Sequence, residues 1–181
     1  MKPIKITVIF LIVLTICVQV RADNYSNYLK TGLGTYLIND KFGPAYITEF
    51  GHSLNQNLFI VPKFIKSVVI DENKSPKYST YNSYYDFGLG LQYQFPSMDR
   101  LGLGFGGNLQ IINKIYLREY EDINNSLVRN IANTFDLLYG FYCSLEYTVL
   151  QGKNIDFGVN GIAQFGEYSS FSVLIHMRFK V

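Results

Sequence analysis

The stretch Tyr84–Phe95, YYDFGLGLQYQF, decides how this chain folds. Its odd positions are Tyr85, Phe87, Leu89, Leu91, Tyr93 and Phe95; its even positions are Tyr84, Asp86, Gly88, Gly90, Gln92 and Gln94. Strict alternation of this kind is a β-strand pattern, because successive side chains point to opposite faces. One face is bulky and apolar, the other mostly tiny or polar. In a soluble protein the bulky face would point inward. Whether that holds here depends on what the rest of the chain offers.

The same alternation recurs in segments of about ten residues. In Leu101–Ile111 the large set is Leu101, Leu103, Phe105, Leu109 and Ile111, opposite Gly102, Gly104, Gly106, Asn108 and Gln110. Phe135–Val149 sets Phe135, Leu137, Tyr139, Phe141, Cys143, Leu145, Tyr147 and Val149 against Asp136, Gly140, Ser144, Glu146 and Thr148. From Ile155, Phe157, Val159, Ala163 and Phe165 oppose Asp156, Gly158, Asn160 and Gln164. The last segment alternates Phe171, Val173, Ile175, Met177, Phe179 and Val181 with Ser172, Leu174, His176, Arg178 and Lys180. Three noisier segments precede these: Leu29–Ile38, Ala45–Leu54, and Leu58–Lys66, in which Pro62 cannot donate a ladder hydrogen bond and implies a bulge or weakened pairing. Eight strands result, with no other apolar run long enough for a spanning helix.

The connections differ in length. Asn55–Asn57, Pro96–Arg100 and Leu150–Asn154 are short; Ser67–Ser83 and Asn113–Asn133 are long and polar; Asn39–Pro44 and Glu167–Ser170 are intermediate. In an up-and-down arrangement the three short turns share one end and the long connections share the other. Transmembrane β-barrels have this asymmetry.

Volume settles the faces. Eight strands enclose a space only just wide enough for side chains to fill. Placing every large residue inside would overfill it and leave glycines lining the outside. Reversed, Gly, Ser, Asn and Gln line a narrow lumen and the bulky set meets hydrocarbon. Tyr85, Tyr93, Phe95, Phe135, Tyr147 and Phe165, near strand ends, suit an aromatic girdle.

The first 22 residues read as a secretory signal: Lys2 and Lys5, an apolar run from Ile6 to Val18, then Val20-Arg21-Ala22. Residues 23–181 are then one barrel domain. Lys2, Lys5 and Arg21 lie in the signal, which holds no acid. Of 16 basic residues 13 therefore remain against 14 acids, net −1, and no nucleic-acid footprint is left. Cys143 alone remains, so neither an internal disulfide nor a cysteine metal cluster is expected.

From Leu29 to Val181 the chain resembles the small eight-stranded outer-membrane barrels, the OmpA-barrel and OmpX-like group. The resemblance rests on pattern and topology, including a terminal strand with Phe179 and Val181 on its apolar face; the group usually ends on an aromatic residue, and this chain ends on Val181. It implies an all-β, eight-stranded antiparallel up-and-down transmembrane barrel in the outer membrane of a Gram-negative cell. Outer-membrane lipid and the barrel-assembly machinery would be its partners, with an extracellular partner possible. It transfers no activity, since such barrels serve as anchors, adhesins, enzymes and pores.

Other motifs point away from chemistry. Gly102–Gly107 matches G-x-G-x-x-G, but a dinucleotide site needs a helix to start there and the alternation continues instead. His52-Ser53 beside Glu49 suggests a hydrolase, yet adjacent strand residues diverge. Glu49, Asp86, Asp136, Glu146, Asp156, His176 and Arg178 share the lumen face, where unpaired charge is costly, so a structural polar network is expected. No catalytic residue, cofactor or metal is assigned. Tyr116, Arg118, Glu119, Tyr120, Glu121 and Asp122 make the second long connection a contact candidate. The expected role is a non-enzymatic envelope barrel, structural or in surface contact through 67–83 and 113–133. The alternatives are an outer-leaflet lipid-modifying enzyme, a narrow pore, or a secreted lipocalin-like carrier.

Overall fold

The computed structural model describes residues 27–74, 77–121 and 127–181. The expected signal at 1–22 lies outside them. Eight strands follow one another: β1 Tyr28–Ile38, β2 Lys41–Ser53, β3 Leu58–Lys74, β4 Lys77–Phe95, β5 Met98–Glu121, β6 Leu127–Gln151, β7 Ile155–Gly166 and β8 Ser170–Lys180. Each pairs antiparallel with the next, and β8 closes onto β1 from Tyr28↔Lys180 to Ile38↔Ser170. The result is a closed up-and-down barrel, which leaves no open sheet edge around its body.

Alternation fixes which residues face in. On β4, Tyr84, Asp86 and Gln92 are buried inside, while Leu89 and Tyr93 are exposed outside. The outer surface carries Leu33, Phe105 and Ile175, each more than 60 % exposed. A soluble monomer rarely leaves so continuous an apolar surface bare. The interior, by contrast, is filled. Its half toward the long hairpins holds an apolar cluster that includes Tyr36, Ile38, Ile47, Ile65, Ile112 and Leu174. The half toward the short turns holds most of the buried charges, while Asp86 lies level with Ile65 on the apolar side. A lumen of only small and polar residues was expected; the apolar half corrects that, and its bulk is accommodated where glycines leave room.

The glycines are slots for larger neighbours. A Cβ on Gly88 would lie 2.7 Å from Lys63 Cγ and 3.1 Å from a Tyr142 ring carbon. One on Gly90 would strike the Tyr142 hydroxyl. His176 is flanked in the ladder by Gly32 on β1 and Gly158 on β7, and a Cβ on Gly158 would sit 2.8 Å from its imidazole.

Three connections differ from expectation. The β1–β2 link is a two-residue turn, not Asn39–Pro44. Asn39 and Asp40 both take positive φ, 48° and 60°, as a tight hairpin turn requires, and Pro44 lies within β2. The stretches 67–83 and 113–133, read as long loops, are mostly strand: β3 and β4 pair out to Lys74↔Lys77, and β5 and β6 out to Glu121↔Leu127. Their polar residues, such as Asp71–Lys74, Asn130 and Asn133, broke the alternation, although Val69 still points into the barrel. At Pro62 the β2–β3 ladder is interrupted at unchanged register, Glu49 pairing with Lys63 and His52 with Ile60. That is weakened pairing rather than a bulge.

Candidate functional site: a charged plug and a protruding sheet

The ladder brings four charged residues into one lateral row inside the barrel. Arg178 on β8 neighbours Lys30 on β1, Lys30 neighbours Glu49 on β2, and Glu49 neighbours Lys63 on β3. Two like charges side by side destabilise a sheet. Glu146 resolves this by reaching across the lumen from β6. Its Oε2 accepts from Lys30 Nζ at 2.8 Å and from Gln92 Nε2 at 2.9 Å, and its Oε1 takes Arg178 and faces His176 Nε2 at 3.2 Å. Lys30 also pairs with Glu49. Lys63 Nζ stands 3.7 Å from the other Glu49 oxygen and 3.3 Å from the centre of the Tyr142 ring. The Arg178 guanidinium lies 4.6 Å over the Tyr28 ring, whose hydroxyl donates to Gln92 at 2.7 Å. Lys30, Glu49, Glu146 and His176 are each at most 2 % exposed. Buried charge at this depth survives only when paired, and here each carboxylate answers more than one cation.

A second group sits beyond Tyr142, toward the long hairpins. Gln110 Nε2 donates to Asp86 Oδ1 at 2.8 Å and to the Tyr36 hydroxyl at 3.0 Å, while Asn108 Nδ2 is 3.4 Å from the same carboxylate oxygen. Asp156 is at the short-turn mouth, where it accepts from Lys180 Nζ at 2.9 Å and from the Gly152 N–H at 3.1 Å, tying the β6–β7 turn to β8. Asp136 stands elsewhere. It pairs with Lys114 at 2.6 Å above the barrel, its side chain 42 % exposed. Of the seven candidates, the structure therefore joins Glu49, Glu146, His176 and Arg178 in one network, puts Asp86 and Asp156 in separate local groups, and places Asp136 outside the lumen.

Lys30 and Lys63 belong to the network and were missing from the candidates. Both are inward by strand parity. Lys30 stood out as polar among glycines, whereas Lys63 was masked by Pro62 in a segment with poor alternation. A cavity of about 130 Å³ opens at the short-turn mouth between Tyr28, Phe59, Gln94, Asp99, Asp156 and Arg178. Small-molecule sites usually need ~300 Å³ or more.

His52 and Ser53 diverge. His52 Nδ1 lies 3.0 Å from Asn27 Oδ1, while Ser53 Oγ donates to the Asn55 carbonyl at 2.8 Å. Both are at the short-turn end, and His176 is deep in the lumen. The Gly102–Gly107 stretch is strand throughout, with no helix start to hold a pyrophosphate. Among the described residues no group of three or more His, Cys, Asp or Glu could hold a metal.

At the other end a sheet rises above the barrel. β7 pairs with β6 only from Gln151↔Asp156 to Gly140↔Gly166, so Leu127–Tyr139 continues with β5 alone beside it. That is ~40 Å of strand at ~3.3 Å per residue. Its outward row carries Ile131, 71 %, Phe135, 67 %, and Tyr139, 74 % exposed, with exposed Asn133 between the first two. Phe135, expected in the aromatic girdle, thus stands on the protruding part. Arg118 to Asp122, the charged part of the contact candidate, lie where side chains are outside the described residues.

Comparison with solved structures finds the same fold. Ail, the attachment invasion locus protein of Yersinia pestis, solved with the heparin analogue sucrose octasulfate, aligns with a TM-score of 0.57 at 9 % identity, over 87 % of this chain and 99 % of that one. Neisserial surface protein A aligns with a TM-score of 0.53 at 13 % identity, over 86 % of this chain and 96 % of the other. No protein-family model matches the sequence. No curated protein matches it either. The chain has the fold of the small eight-stranded outer-membrane β-barrels.

Proposed function

We propose that this chain is a non-enzymatic outer-membrane barrel that holds its β3–β4 and β5–β6 hairpins outside a Gram-negative cell for surface contact. One observation carries this. β5 and β6 run far past the ~9–11 residues that a tilted strand needs to cross a bilayer, and their excess stays paired as a sheet out to Glu121↔Leu127. A plain anchor needs no such extension. A pore needs an open lumen, and the ion pairs of Glu146 with Lys30 and Arg178 across this one argue for a plug instead. An outer-leaflet hydrolase needs a base near a nucleophile at the hairpin end, and both histidines are elsewhere.

In this reading the apolar belt faces lipid, the short turns face the periplasm, and the assembly machinery inserts the chain after the signal is removed. One similar barrel is named for attachment and invasion, which supports a contact role. The test replaces 113–133 with a short turn at the rim. Cells carrying the shortened barrel should lose adhesion to protein-coated surfaces while the barrel still shifts on a heat-modifiability gel. Unchanged adhesion would contradict the contact role. Steady conductance steps from the purified full chain would favour the pore.

A further inference from the structure

Among the described residues that face outward at belt level, Lys66 on β3 is the one charged side chain. The other lysines of that level, Lys30 and Lys63, point into the lumen and meet Glu49 or Glu146. Lys66 pairs in the ladder with Tyr46 on β2 and Tyr85 on β4, on the hairpin side of Phe64. Tyr93 and Tyr85 bound the β4 belt, and the stretch they enclose matches the ~9–11 residues that a tilted strand needs. From Leu58, at the short-turn rim, to Lys66 the wall rises ~19 Å at ~3.3 Å per residue and ~45° tilt. The lysine stem then carries its ammonium to the hairpin-side boundary of a ~25 Å apolar band.

That ammonium lacks an acceptor. It brings three donors and accepts nothing. Its Nζ lies 5.7 Å from the centre of the Tyr85 ring, and no carboxylate meets it among the described residues. Glu49 and Asp86, the acids on the neighbouring strands at this level, are buried inside. The Tyr46 hydroxyl is engaged by Thr48 Oγ1 at 2.7 Å and Thr31 Oγ1 at 3.3 Å. A cation at the edge of hydrocarbon is costly without an opposite charge, and the wall supplies none. The counter-charge has to come from the medium that the wall faces.

We propose that Lys66, set between Tyr46 and Tyr85, holds the phosphate of an anionic lipid headgroup in the outer leaflet. The inference rests on the reading that puts the belt in lipid and the hairpins outside, and adds to it a lipid site on the wall. The ammonium gives the phosphate a charge-assisted hydrogen bond. The two tyrosines flank it at the depth where such rings sit among headgroups. The opposite wall offers nothing comparable: on β7 the outward row Ile155, Phe157, Val159, Gly161, Ala163 and Phe165 carries no charge.

The chain has no tryptophan, so one can be placed as a local probe. Phe64→Trp puts it next to Lys66 on the outer face, and Phe165→Trp puts it on β7 across the barrel. The full mature chain is refolded into phosphatidylcholine vesicles containing phosphatidic acid, with bromine on the acyl chains of one lipid or the other. Quenching gives the relative affinity of the two lipids at each probe. At Phe64→Trp phosphatidic acid should be preferred roughly two- to fivefold, the strength of one partly exposed ion pair. Lys66→Gln should abolish that preference, Lys66→Arg should keep it, and the Phe165→Trp probe should show none. Heat-modifiability gels check that each variant is folded. Equal affinity for the two lipids at Phe64→Trp, or a preference that survives Lys66→Gln, would overturn the site. Loss of the preference in millimolar inorganic phosphate would assign the site to free phosphate and overturn the lipid as its source. If neither brominated lipid quenches either probe, the membrane reading itself fails; if both quench without preference, the lipid-facing wall stands and the phosphate site does not.

Discussion

Gly90 and Leu91 are adjacent and have opposite tasks. Gly90 leaves space for the Tyr142 hydroxyl inside the barrel, while Leu91 belongs to the outer belt. Leu89→Arg or Leu91→Arg should impair insertion by ~2–4 kcal/mol, the cost of a cation near the bilayer midplane. Gly90→Leu should impair folding by ~1–3 kcal/mol or more through overpacking. Urea titration of refolding into lipid vesicles measures both. If all three variants assembled like the wild type, the faces would be reversed. Glu146 is the critical lumen charge, since it alone links Arg178 and Lys30 from across the barrel. Glu146→Gln should destabilise by ~3–5 kcal/mol, as expected when one partner of a buried ion network is removed. The same titration reads it out, and an unchanged midpoint would show that water reaches the plug.

At the level of elements, local chemistry is clearest at the β1–β2 turn. Asn39 and Asp40 both occupy left-handed backbone, which suits Asn, Asp and Gly and penalises others. Asp40→Val should cost ~1–2 kcal/mol, whereas Asp40→Gly should be neutral or slightly stabilising. Thermal or urea unfolding in detergent would show it, and equal midpoints for the two variants would argue against a tight turn. The sequence pattern missed this tight turn, whereas it marked the barrel wall. The membrane-level strands were legible because lipid on one side and a cramped lumen on the other impose period two, as Tyr84–Phe95 and Ser170–Lys180 show. Above the rim that constraint ends, so Leu127–Asn133 and Asp71–Lys74 look like polar loop although their backbones pair regularly; Ser67 and Val69 still point into the barrel. The lumen was legible in part. Parity placed Glu146, His176 and Arg178 on the inner face, but parity cannot say that Glu146 crosses the lumen or that Asp136 stands above it.

For the whole molecule, three features combine: closure, an apolar exterior and a filled interior. Closure removes sheet edges from the hydrocarbon, where an unpaired backbone group would cost several kcal/mol. Inside, Glu146 joins Lys30 and Arg178 across the lumen, and β5 and β6 continue beyond the end of β7. The central claim is that the bulky face meets lipid. Cys143, the free cysteine among the described residues, tests it without any substitution. Cys143 is exposed on the outer face of β6, beside Phe105 on β5 and Ala163 on β7, well within the barrel wall. A fluorophore attached there, with the chain refolded into vesicles, should be quenched strongly by doxyl-labelled lipid and little by aqueous iodide. Quenching by iodide with none from the lipid would mean that this face meets water, and the membrane barrel would be wrong.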